Sequence, residues 1–129
     1  MGSGSKILRL PHERLRAWHL AREGRKLAYL FTRSLPRGFG SEAQQINAAA
    51  ASVVRNVCEG ANRWKLAEKV HQFEIAQGEA GKAAGAIRSL MDLEVGDPEL
   101  GERFLAVEAR RRGCSPGSFA TCGCWGWAW

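Results

Sequence analysis

Proline is scarce in this chain of 129 residues: Pro11, Pro36, Pro98 and Pro116 leave long intervals with nothing to interrupt a helical hydrogen-bond ladder. No apolar run approaches the ~18 residues of a membrane span, and Met1 to Ser5 lack the apolar core of a secretion signal. A cytoplasmic protein without a membrane partner is expected. Cysteine is limited to four residues, and Cys114, Cys122 and Cys124 lack the Cys-x-x-Cys spacing of structural zinc sites. His12, His19 and His71 are scattered, with neither His-x-x-x-His spacing nor a neighbouring nucleophile. No metal, other cofactor or catalytic residue is therefore expected. Residues 113–129 lack any charged side chain and any helical periodicity, yet hold Trp125, Trp127 and Trp129. They read as an irregular tail outside the folded body, as residues 1–10 read as a flexible leader.

Between these ends the apolar residues recur at the helical period. From Pro11, well suited to a first helical position, a helix is predicted over 11–34 with Ala17, Leu20, Ala21, Leu27, Ala28, Phe31 and Leu35 on one side. Pro36 to Gly40 break it, and Ser41-Glu-Ala-Gln44 has the form of a capping box opening a second helix to about Cys58. Gly60 suits a left-handed stop. A third helix over about 65–95 carries Phe73, Ala76, Ala80, Ala83, Ala84, Ile87, Leu90 and Met91 on one side. Gly78, Gly81 and Gly85 gather on another, pointing either to close approach of a neighbouring backbone or to a weakened stretch. Gly96 ends that helix. Asp97-Pro98-Glu99 restarts the chain as a shorter fourth helix, with Leu100, Phe104 and Val107 on its apolar side and Arg110-Arg111-Arg112 at its C-terminus. Short connections favour antiparallel neighbours, so residues 11–112 are predicted to form an all-α, up-down four-helix bundle.

Charge is distributed unevenly. Residues 6–37 hold nine Lys/Arg against Glu13 and Glu23, whereas residues 38–112 hold ten basic and eleven acidic side chains. On the first helix, Arg14, Trp18, Arg22, Arg25, Lys26, Tyr29 and Arg33 fall opposite the apolar side. Cations interleaved with aromatics suit phosphates and bases, but they equally suit a subunit interface or a solvated face. On the second helix, Gln45, Ser52, Asn56, Glu59 and Arg63 share one stripe that flanks the apolar side. Such groups at the edge of a core suit an interhelical hydrogen-bond network. A catalytic use of Ser52, Asn56 and Glu59 is the alternative, although local spacing supplies neither a base for Ser52 nor an oxyanion donor.

The stretch Ser52-Val-Val-Arg-Asn56-Val-Cys-Glu59-Gly60-Ala-Asn-Arg63 resembles the Ser-Ile-x-x-Asn-Ile-Ala-Glu-Gly-x-x-Arg signature of the four-helix-bundle proteins encoded in intervening sequences of bacterial 23S ribosomal RNA genes. Leu15 with Trp18, Leu35-Pro36, Gln45-Ile46, Ala49-Ala50, and Phe73 with Ile75-Ala76-x-Gly78 extend the resemblance over about residues 12–93. It implies a ring-like homopentamer without a known enzymatic activity. It also implies distant kinship with the accessory proteins of diversity-generating retroelements, which associate with a reverse transcriptase and nucleic acid. Asn47-Ala48 stands where the family usually has an Arg-Arg pair, and Lys82 and Ala84 stand among positions usually acidic. The expected role is a non-enzymatic oligomeric scaffold on nucleic acid or a nucleic-acid-handling enzyme.

Overall fold

The computed structural model describes residues 10–112. A 3-10 turn, Pro11–Arg14, precedes four helices: α1 (Arg16–Arg33), α2 (Gly40–Ala61), α3 (Leu66–Asp92) and α4 (Pro98–Arg112). The connecting segments are short, α1 lies beside α2 and α4, and α3 packs on α2 and more thinly on α4. The result is the expected up-down bundle, in which α4, at 15 residues, is the shortest helix. The leader up to residue 9 and the tail with its cysteines and tryptophans lie outside the described residues.

Burial explains the arrangement. Phe31, Phe73, Phe104, Leu15, Ile46, Ile87, Val57 and Val107 are fully buried, each contributing about 1.5–3 kcal/mol relative to exposure. Between them, Ala49, Ala50, Ala76, Ala80 and Ala83 keep the helices close. The inner side predicted for the first helix is buried from Ala17 to Phe31, whereas Leu35 lies beyond the end of α1 and is half-buried.

Several local expectations are corrected. The first helix does not run continuously from Pro11, because Leu15 is extended (φ −79°, ψ 125°) and fully buried, which separates the 3-10 turn from α1. The Ser41–Gln44 capping box is absent: α2 begins at Gly40 without a side-chain cap, and Ser41 Oγ instead accepts from Gln45 Nε2 at 3.5 Å. Gly60 is not a stop but lies within α2, where a Cβ would come within 2.6 Å of the Phe73 ring. At Gly78 and Gly85 a Cβ would meet nothing within 4 Å, so among the described residues no neighbouring backbone presses on either.

α3 ends earlier than expected, at Asp92, through a Schellman closure: Glu94 N–H donates to Met91 O (2.9 Å) and Val95 N–H to Leu90 O (3.2 Å). Glu94 takes the left-handed position (φ 57°) usually occupied by glycine, and Gly96 takes a second positive φ (79°) against Phe31. Asp97 caps α4 as its sequence suggests, Oδ1 accepting from Glu99 N–H at 2.9 Å.

Arg111 departs furthest from expectation. Rather than projecting at a helix terminus, it is 1% exposed, and its Nε donates to the buried Glu108 carboxylate at 2.9 Å. Phe104, Val107, Glu108 and Arg111 follow the i, i+3, i+4, i+7 pattern, so the last inner positions of α4 are filled by an ion pair rather than by apolar chains. Among the described residues the Arg111 Nη2 atom has no hydrogen-bond partner, a situation that costs about 1–3 kcal/mol.

Candidate nucleic-acid interface

The amphipathic period of α1 aims its cations away from the core, and α2 supplies a second wall. Between them runs an open groove of about 580 Å³ lined by Trp18, Arg22, Arg25, Lys26 and Tyr29 of α1 and by Asn47 and Val54 of α2. Five of the seven residues singled out on the first helix thus meet at one site. Arg14 and Arg33 do not line it: Arg14 belongs to the 3-10 turn, and Arg33 lies at the far end of α1 with its guanidinium 5.8 Å from the Tyr29 ring centre.

The two aromatics have different surroundings. Trp18 is half-buried and packs partly on the core, with the Arg22 guanidinium 4.6 Å from its ring centre. His12 and His19 meet it edge-on at 4.8 and 5.3 Å. Its faces and edges are therefore largely used within the protein, and it acts as a wall that fixes Arg22. Tyr29 is 51% exposed and offers its ring to solvent. Arg22, Arg25 and Lys26 are all exposed.

Two polar links hold the walls together. Asn47 Nδ2 donates to Thr32 Oγ1 (3.0 Å), which itself donates to Tyr29 O (2.8 Å), tying α2 to the upper part of α1. At the lower end Asn62 Nδ2 donates to His12 Nδ1 (3.2 Å) and to Cys58 O (2.8 Å). Sequence reasoning passed over Asn47, Val54 and Asn62 as site residues, because the pairing of two helix faces is not written in either helix alone.

The stripe Gln45, Ser52, Asn56, Glu59 and Arg63 lies elsewhere, half-buried to exposed. Its hydrogen bonds run along α2, and among the described residues none joins it to another helix. Asn56 Nδ2 donates to Ser52 O (2.8 Å) and Oγ (3.0 Å), Gln45 reaches Ser41, and Arg63 pairs with Glu59. That pairing raises the Arg63 pKa further, first through the hydrogen bond and then through the charge of Glu59. Ser52 Oγ accepts from Asn56, and among the described residues no hydrogen bond links it to a base that could activate it as a nucleophile. The Cys58 thiol is pushed up by burial and then by the neighbouring Glu59 charge, which keeps it protonated. Lys69 is buried and donates to Ala61 O (3.0 Å) and Gly60 O (3.4 Å), capping the C-terminus of α2 from α3, while burial pushes its ammonium pKa down.

Fold and groove together define an all-α bundle with a basic, aromatic-walled cleft between its first two helices. The chain belongs to the 23S rRNA-intervening sequence protein family, whose model matches residues 13–107. The match takes in both walls of the groove and ends before the buried Glu108–Arg111 pair. No curated protein matches the chain. Among the described residues no helix is long and apolar enough to cross a membrane.

Proposed function

We propose that this protein is a non-enzymatic, oligomeric accessory protein that associates with nucleic acid through the α1/α2 groove. The observation that carries this reading is the convergence of Arg22, Arg25 and Lys26 on one concave surface walled by Trp18 and Tyr29. Three cations there favour phosphates, and an exposed tyrosine ring favours a base. Repetition of the groove around a ring of copies, the pentamer implied by the family resemblance, multiplies weak contacts through effective concentration. A scaffold for a nucleic-acid-handling enzyme is compatible with the same display.

The groove also supports a second reading, contact between copies, favoured by the apolar surface that Tyr29 and Leu30 (37% exposed) leave uncovered on α1. Light-scattering mass and anisotropy titration of a labelled oligonucleotide at low salt separate the two. Nucleic-acid association predicts binding that Arg22→Glu/Arg25→Glu abolishes while the mass stays unchanged. Absence of binding by the unaltered protein, with a mass that falls in the variant, contradicts it in favour of the subunit contact.

A further inference from the structure

Trp64, in the connection between α2 and α3, is 97% exposed. A covered tryptophan removes about 150–250 Å² from water, so a ring left almost wholly in solvent contributes little to the fold. The surrounding contacts relate it to the groove. Two residues before it, Asn62 donates to His12. His12 meets Trp18 edge-on, and Trp18 carries Arg22 over its ring. One continuous series of contacts therefore leads from the lower end of the groove to the loop that bears Trp64. Lys65, Arg14 and Arg16 are exposed at this end. Leu10 (56%) and Leu66 (58%) add exposed apolar surface there.

We infer that Trp64 is a base-stacking platform at the lower end of the groove, and that the partner is single-stranded rather than duplex nucleic acid; this rests on the groove reading above. Among the described residues the exposed tryptophan and tyrosine rings are Tyr29, which lines the groove, and Trp64, in the loop linked to the other end of the groove through Asn62, His12 and Trp18, whereas Trp18 itself is occupied. Along α1, Trp18 and Tyr29 are separated by about 17 Å, at 1.5 Å per residue. A strand following the track would lay its phosphates past Lys26, Arg25 and Arg22 and reach a ring at either end. A ring face can be used only by an unpaired base. A duplex keeps its bases stacked on each other and offers the groove only its phosphates.

The test uses the full chain, with labelled single-stranded oligothymidylate and a duplex of equal length read by anisotropy of the label. Trp64→Ala is expected to weaken single-strand binding about 5- to 150-fold, the range for loss of one stacked base, and to leave duplex binding within twofold. Trp64→Phe is expected to restore most of the loss. Circular dichroism checks the fold, which so exposed a side chain is not expected to affect. Equal single-strand affinity for Trp64→Ala and the unaltered protein overturns the inference while leaving the groove reading intact. Absence of binding to either ligand overturns both. Partition of the unaltered protein onto phosphatidylserine vesicles that Trp64→Ala abolishes, with oligonucleotide binding retained, overturns the inference in favour of a lipid surface.

Discussion

Three glycine-to-alanine substitutions, chemically identical and all within helices, are expected to give opposite results. An alanine in a helix interior is favoured over glycine by about 1 kcal/mol, because glycine loses more backbone entropy on folding. At Gly78 and Gly85 the added methyl meets nothing within 4 Å, so each site is expected to realise the full gain. The double variant then gains about 2 kcal/mol, a rise in Tm on the order of 10 °C for a domain of this size. At Gly60 the same methyl lies 2.6 and 2.8 Å from two ring carbons of Phe73 and 3.1 Å from Gln72 Cβ. Phe73 is 1% exposed and cannot swing clear. Overpacking of this kind costs about 1–3 kcal/mol, which outweighs the helical gain. Gly60→Ala is therefore expected to be destabilised. Urea and thermal unfolding followed at 222 nm read all three. A loss of stability in Gly78→Ala or Gly85→Ala, or a gain in Gly60→Ala, would show that the space around each Cβ does not decide the outcome.

Glu94→Gly is expected to raise stability by about 1 kcal/mol, since it removes the Cβ from a left-handed position while leaving the Schellman hydrogen bonds in place; thermal unfolding checks it. Lys69→Met keeps most of the buried stem but removes the donor to the last carbonyls of α2, so a loss of about 1–2 kcal/mol is expected in urea titration. The Lys69 pKa is lower folded than unfolded, so the unfolded chain binds more protons just below pH 10.5. The contribution of Lys69 therefore makes stability rise with pH in that window, and this component is expected to vanish in Lys69→Met.

The fold was largely legible because its signals are local and agree. The period of α1, the prolines and glycines between helices, and the Asp97 cap each point to the same bundle. What escaped depends on tertiary neighbours. Gly60 carries the composition of a stop, but its role is set by the Phe73 ring on α3. Glu108 and Arg111 stand at inner positions of α4 that the period alone identifies, yet their charge argues against burial until both are seen to fill the end of a short helix. The cationic wall of the groove was readable from α1, whereas Asn47 and Val54 became part of the site only when α2 docked beside it. Trp64 belongs to no periodic pattern, and only its exposure distinguishes it from a core tryptophan.

The role proposed for the cations of the α1/α2 groove is neutralisation of nucleic-acid phosphates. Its most direct test is the slope of log affinity against log salt for a single-stranded oligonucleotide, measured on the unaltered protein and on Arg22→Ala/Arg25→Ala/Lys26→Ala. Each neutralised phosphate of a single strand contributes about 0.7 to the slope. The triple variant is therefore predicted to bind more weakly, with a slope about 2 units shallower. Equal slopes for the two proteins would contradict the assignment of the groove as the phosphate-binding surface.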